Sequence, residues 1–240
     1  MAQSATTRVI AEAGGTDVYL NRMVCSMLRP TGSSPFKDEW DFLTRSVWTK
    51  DEATGSIRQF PHEERYDYLR QLTLIRKQHP IFAIEKSRRM LITWWMLSLY
   101  LFDTLTMKNH ANFVVSKKLG DSAYLLGDDR ILGVYKRIPE STWKNKPRLI
   151  ESGKEERGFT LLTCPDTGSY LQAVASGADQ LRQYTASNVF FDEFAFQDRQ
   201  EDAWTAARPT IEGGGHIDMV STPELGAFFY DLLYDTGRGV

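Results

Sequence analysis

Cysteine, histidine and long apolar runs are scarce in this chain of 240 residues, and each scarcity excludes a class of protein. The two cysteines, Cys25 and Cys164, are far apart and form no Cys-x-x-Cys pair. That excludes a disulfide framework and a cysteine zinc site, and it fits a reducing compartment. The four histidines, His62, His79, His110 and His216, have no ligand spacing to one another or to cysteine. The one stretch resembling a membrane span, Met90–Phe102, holds 13 uncharged residues between Arg89 and Asp103. A transmembrane helix needs roughly 20, so this reads as a buried helix. The N-terminus, Met-Ala-Gln-Ser-Ala-Thr-Thr-Arg, lacks the apolar core of a signal peptide. A soluble intracellular protein with no membrane partner is expected.

What is present is globular in character. Apolar residues make up 42% and charged residues 25% of the chain, which excludes disordered, collagen-like and coiled-coil sequences. The net charge of -2 does not advertise a nucleic-acid binder, yet the average hides a split. Residues 1–150 hold 23 Lys/Arg against 16 Asp/Glu, whereas residues 151–240 hold 6 against 15. An anion-facing half and a metal-facing half would produce this pattern, and so would an uneven surface.

Residues 1–60 carry turn signals at Gly14-Gly15, Arg29-Pro30-Thr31-Gly32 and Ser33-Ser34-Pro35, and are expected to be irregular apart from a short helix over 18–28. Tyr66, Leu69, Leu72 and Ile75 recur at three-residue steps, predicting an amphipathic helix over 63–77 that Pro80 ends. Strands are then expected at 81–84, 113–115, 159–163, 169–175, 189–191 and 217–220, with helices from about Thr93 and over 119–126. Pro165-Asp166-Thr167-Gly168 turns one strand pair. Residues 133–158 show no clear periodicity. Strands separated by helices imply an α/β fold with a mainly parallel central sheet flanked by helices. We expect an extension over 1–60, the main domain over 61–235 and the start of a linker over 236–240.

Three segments carry chemistry. Val189-Phe190-Phe191-Asp192-Glu193 is an apolar strand ending in two carboxylates, the Walker B pattern. Asp192 is suited to hold Mg²⁺ and Glu193 to polarise an attacking water; an ordinary acidic turn is the other reading. GxxxxGK[ST] is absent, but the strand-to-helix junction after Ile84 reads Lys86-Ser87-Arg88-Arg89-Met90-Leu91-Ile92-Thr93. Thr93 falls on the Mg²⁺-binding hydroxyl, and the lysine stands at the first position of the loop instead of the seventh. A flexible lysine reaches phosphates from either end, and the helix N-terminus offers backbone N–H groups to an anion. A basic helix start with snorkelling side chains is the alternative. The third segment, Val220-Ser221-Thr222-Pro223, is a strand ending in hydroxyls, suited to sensing a γ-phosphate or simply to making a turn.

Their order is the stronger signal: a strand with a basic loop and Thr93 comes first, Asp192-Glu193 follows 99 residues beyond Thr93, and Ser221-Thr222-Pro223 comes last. Over roughly 80–234 this arrangement resembles the ATPase (motor) domain of the large terminase subunit of tailed bacteriophages, some members of which carry the lysine at the start of Walker A. The stretch 169–182, with Ala175-Ser176-Gly177 and Leu181-Arg182, resembles what precedes Walker B in that family, and Val220-Ser221-Thr222-Pro223 its coupling motif. The resemblance implies a P-loop ATPase of the ASCE type, with ATP and Mg²⁺ bound. Lys86 would neutralise the β/γ-phosphates, Thr93 and Asp192 hold the metal, and Arg88 act as a switch or finger in cis. Arg182, 11 residues before Glu193, would reach a neighbouring subunit's ATP. Departures are visible: no glycine follows Met90, and Arg182 is followed by Gln183 rather than glycine. Phe60, Tyr66 and Gln71 are candidates for the adenine pocket.

The implied partners are double-stranded DNA, a homo-oligomeric ring on the portal and a small terminase subunit, in the host cytoplasm at the procapsid. Lys136, Arg137, Lys144, Lys146 and Arg148, with Tyr135 and Trp143, form the densest basic cluster. That cluster is suited to tracking DNA phosphates, to facing a neighbouring subunit, or to solvation alone. No carboxylate cluster follows Tyr234, so the family's nuclease domain is expected to be absent. The alternatives are a helicase-like nucleic-acid ATPase and a nucleotide-binding scaffold without turnover.

Overall fold

The structure, a computed structural model, describes residues 8–11, 34–51, 54–60, 66–177, 181–182 and 185–234. The helix expected over 18–28 lies outside them, as do residues 61–65. In chain order the elements are β1 (Arg8–Ala11), α1 (Glu39–Ser46), β2 (Trp48–Lys50), β3 (Ile57–Gln59), α2 (Asp67–Gln78), β4 (Ile81–Glu85) and α3 (Ile92–Thr106). Then come β5 (Ala111–Ser116), α4 (Leu119–Leu126), α5 (Ile131–Arg137), β6 (Ile150–Glu155), β7 (Gly158–Cys164), β8 (Ser169–Ala175) and β9 (Asn188–Asp192). A 3-10 turn (Phe194–Phe196), α6 (Gln200–Ala207), α7 (Pro209–Glu212), β10 (His216–Ser221) and α8 (Phe228–Tyr234) complete the set.

Eight strands form one sheet in the order β1-β4-β10-β9-β5-β8-β7-β6. The five central strands, β4, β10, β9, β5 and β8, run parallel. β1 is antiparallel to β4, and β7 and β6 continue antiparallel beyond β8. β10 is inserted between β4, which leads into the basic loop, and β9, which ends in the acid pair. This is the additional-strand arrangement of an α/β ASCE-type P-loop fold, as expected.

Alternation along the strands sends successive side chains to opposite faces. Phe82, Ile84, Val114 and Phe190 join a core with α1 to α5. Ala83, Phe113, Val115, Val189 and Phe191 face a second core with α6 and α8. The apolar helix α3 is buried on nearly every side, which explains its lack of an exposed polar face. No described helix is long and apolar enough to cross a membrane.

Residues 1–60 are not simply irregular. Asp38 caps α1 by accepting from the Asp41 N–H at 2.8 Å, and β2 pairs with β3. Phe36, Phe42 and Phe60 are buried in the first core. β2 and β3 were illegible because three residues are too short to show a period, and α5, at seven residues, spans less than two full turns. β6 was missed because it is an exposed edge strand, with no buried face to alternate. α2 is described from Asp67 to Gln78, and residues 63–65 of the expected helix lie outside the described residues.

Candidate nucleotide site

In an open parallel sheet, ligands sit beyond the carboxyl ends of the strands, and here those ends carry the candidate residues. Lys86 follows β4, Asp192 ends β9 with Glu193 next, and Ser221 ends β10. Register brings them level: Ser221 stands opposite Glu85 and Val220 opposite Asp192. The Lys86 N–H donates to the Ser221 carbonyl at 2.9 Å, fastening the start of the loop to β10.

The side chains then close into one cluster. Lys86 Nζ donates to Glu193 Oε1 at 2.6 Å. Glu193 Oε2 accepts from the Thr222 N–H at 3.1 Å, the Thr222 hydroxyl at 3.2 Å and the Ser221 hydroxyl at 3.4 Å. Thr93 Oγ1 donates to Asp192 Oδ1 at 3.0 Å. Ser221 Oγ also accepts from the Ala195 N–H at 3.1 Å. All three sequence segments therefore meet at Glu193, whose carboxylate joins the basic loop to the Ser-Thr strand end.

The electrostatics of the two acids diverge. Burial raises the Asp192 carboxyl to about 6; Lys86 and the Thr93 hydrogen bond oppose this and the neighbouring Glu193 charge adds to it. Burial also pushes Glu193 up, but the Lys86 ion pair and the Thr222 hydrogen bonds outweigh it and hold that carboxyl below its ordinary value.

The loop answers the absence of glycine with backbone conformation. Arg89 (φ 66°) and Leu91 (φ 59°) are both left-handed, as is Glu193 (φ 49°). An L-residue there costs roughly 1–2 kcal/mol, and such strain concentrates at functional sites. Leu91 ends the loop as the residue before α3, and Tyr68 Oη holds the Met90 carbonyl at 2.6 Å.

This cluster floors a cavity of about 940 Å³. Arg88, Arg89, Met90, Leu91, Ile92 and Thr93 line it with Lys86, Asp192 and Glu193, whereas Ser87 does not. The hairpin β2–β3 forms another wall with Thr49, Lys50, Arg58 and Gln59. Of the adenine candidates, Phe60 and Tyr66 line the cavity; Gln71 is exposed and outside it. Pro223 is exposed. Arg182 lies on the surface outside the cavity lining.

The donor set suits magnesium. Thr93 and Asp192, both half-buried, offer a hydroxyl and a carboxylate oxygen side by side, and Mg²⁺ is commonly held by one or two carboxylates with substrate phosphates and water. Among the described residues no group of three His, Cys, Asp or Glu forms a metal cage.

The basic cluster at 136–148 is mostly committed to holding the fold. Lys136 pairs with Asp128 at 2.7 Å and Glu151 at 3.6 Å. Arg137 donates to the Trp48 carbonyl at 3.2 Å. Lys146 donates to the carbonyls of Tyr135 (2.8 Å) and Ile138 (3.3 Å), and burial lowers its pKa. Trp143 is buried in the core, not presented for stacking. Lys144 and Arg148 are exposed, and the Arg148 N–H donates to Asp166 Oδ2 at 2.7 Å.

Arg130 was missed by sequence reading. It lines the cavity and lies over the rings of Trp94 (4.6 Å) and Tyr124 (5.1 Å). It sits in no motif, and only the packing of α3 against α5 brings it to the site.

No protein-family model and no curated protein matches this chain. Among solved structures it is similar to the large terminase ATPase domain of Thermus phage P74-26, at 18% identity over 75% of this chain and 76% of that one, with a TM-score of 0.50. It is also similar to the large terminase of bacteriophage HK97, at 11% identity over 80% of this chain and 38% of that one, with a TM-score of 0.54. This chain thus corresponds to well under half of the HK97 protein. The fold is that of large-terminase ATPase domains.

Proposed function

We propose that this chain is a Mg²⁺-dependent ATPase, the motor domain of a DNA-packaging machine that moves double-stranded viral DNA into a procapsid. The observation that carries this reading is the convergence on Glu193. A loop lysine and a Ser-Thr strand end grip one carboxylate, beside a Thr93–Asp192 pair, on a fold shared with terminase ATPase domains.

Lys86 binds the β/γ-phosphates, and Thr93 with Asp192 holds Mg²⁺. The metal neutralises phosphate charge and orients the triphosphate. As the phosphates draw Lys86 away, Glu193 loses its ion pair but keeps its Thr222 and Ser221 contacts. Its carboxylate is then aligned to accept a proton from the attacking water. The same contacts tie the state of Glu193 to β10 and the segment after it, which is how hydrolysis would reach α8. Arg88, exposed at the cavity rim, completes the charge in cis. Arg182, facing outward, serves a neighbouring subunit's ATP in a homo-oligomeric ring on the portal, with a small terminase subunit as a further partner in the host cytoplasm. DNA contact within 136–148 would fall to Lys144 and Arg148.

A phosphate-release assay tests the assignment. K86A is expected to bind ATP much more weakly, and E193A to bind it without turning it over. Equal turnover in both variants and the unaltered chain would refute the reading. Specific activity should rise with protein concentration, and R182A should abolish that rise.

A further inference from the structure

Two of the left-handed residues at the candidate site share an arrangement. Leu91 (φ 59°) follows Met90, whose carbonyl accepts from Tyr68 Oη at 2.6 Å. Glu193 (φ 49°) follows Asp192, whose carbonyl accepts from Gln197 Nε2 at 2.9 Å. In each case a side-chain donor holds the carbonyl of the peptide that leads into the strained residue. Gln197 is buried and spans two strand ends, since its Nε2 also donates to the Val115 carbonyl of β5 at 3.2 Å.

The held carbonyl matters because a left-handed residue relaxes by turning the peptide before it. Rotating that peptide by about half a turn returns φ to the negative range open to every residue. Carbonyl and N–H then exchange places, for they lie on opposite sides of a trans peptide. Glycine carries no such strain, which is why loops that bring backbone to phosphate favour it. The stretch 86–93 has no glycine. Tyr68 opposes the rotation, because turning the Met90 carbonyl away would break its hydrogen bond. With that carbonyl held by α2, the Leu91 N–H faces away from Tyr68. Met90 and Leu91 line the cavity and Tyr68 does not. The first N–H at this end of α3 to reach a backbone carbonyl is that of Trp95, on Leu91 at 2.9 Å. The N–H groups before it are those that a helix start offers to an anion. Tyr68 is itself well seated: half-buried, it packs against the first core. Burial, aided by Tyr66, pushes its phenol up to about 12, so the hydroxyl keeps the proton it donates.

We propose that Tyr68 is a positioning residue for the phosphate loop. By holding the Met90 carbonyl, its hydroxyl keeps the Leu91 N–H turned toward a bound polyphosphate and supplies a constraint that glycine would make unnecessary. Tyr68 touches no phosphate and acts through the peptide between Met90 and Leu91. The assignment rests on the nucleotide reading above. Gln197 repeats the device at Glu193, on the other side of the same site.

The test is equilibrium binding of ATP-γ-S and of inorganic tripolyphosphate to the full chain, Y68F, L91G and Y68F/L91G, with thermal unfolding of each nucleotide-free protein alongside. Y68F removes only the hydroxyl and keeps the ring in its packing. It is expected to weaken both ligands by the same factor, roughly tenfold. In the L91G background the same substitution should cost less than about twofold, because glycine has no strain to relax. L91N, which also tolerates the left-handed region, repeats the comparison independently. Unchanged binding in Y68F would overturn the assignment and leave the nucleotide reading standing. So would an equal loss with and without L91G, which is what a tyrosine that only stabilises the fold would give. A loss confined to ATP-γ-S would place Tyr68 at the base and overturn the loop role. If the unaltered chain binds neither ligand, the nucleotide reading itself fails and Tyr68 fails with it.

Discussion

Replacing Arg76 by methionine should destabilise the fold more than any exposed substitution. Arg76 on α2 grips Asp218 on β10 bidentately, Nε to Oδ1 at 2.8 Å and Nη2 to Oδ2 at 2.7 Å, and Tyr100 Oη donates to Oδ2 at 2.8 Å. The Asp218 side chain is 0% exposed and that of Arg76 only 12%. Methionine preserves most of the packing volume but leaves the carboxylate buried with Tyr100 as its remaining partner in this trio. Removing one member of such a pair costs about 3–5 kcal/mol. For a chain of this size each kcal/mol moves Tm by roughly 2–4 °C, so a drop of roughly 6–20 °C is expected by circular dichroism. The double variant R76M/D218N removes both charges and should recover part of the loss, because the penalty lies in the orphaned charge more than in the missing attraction. A loss below about 1 kcal/mol in R76M, or a double variant equal to the sum of the singles, would refute this account.

Two further outcomes follow from particular contacts. T222V removes the hydroxyl donated to Glu193 at 3.2 Å and leaves the backbone N–H at 3.1 Å; turnover should fall about tenfold while ATP binding holds, measured by steady-state phosphate release beside equilibrium binding. His110 shows a linked pH effect. Burial lowers its pKa, but the Asp103 hydrogen bond (2.9 Å) and charge prevail, and the net shift is upward. A raised folded-state value means that its stabilisation is complete below the unfolded value near 6.5 and is lost as pH rises through the folded one. Urea titrations should show a stability loss over that window which H110Q lacks; the same slope in H110Q would assign the effect to another group.

Much of the candidate site was legible because its parts are local. Val189-Phe190-Phe191-Asp192-Glu193 reads as a strand ending in acids wherever it lies, and β9 ends at Asp192. The loop 86–93 announced itself by charge after an apolar run, and Thr93 does face Asp192. Its missing glycines were a warning about geometry, and left-handed Arg89 and Leu91 show how the chain meets that need without them. The surroundings of the cluster 136–148 were not legible, for the opposite reason. Its charges are contiguous in sequence, but Asp128 and Glu151, which neutralise Lys136, come from neighbouring elements.

By itself the sequence determined the alternation of strands and helices, the absence of a membrane-crossing helix among the described elements and the residue types at three strand ends. Those features depend on side-chain periodicity and turn chemistry within a few residues. The insertion of β10 between β4 and β9, the grip of Lys86 and Thr222 on Glu193, the placing of Arg130 on Trp94 and the buried Arg76–Asp218 pair were decided by the tertiary structure alone. The last joins residues 142 apart. Partners so distant leave no periodic trace along the chain, because sheet order and helix packing choose them only when the core closes.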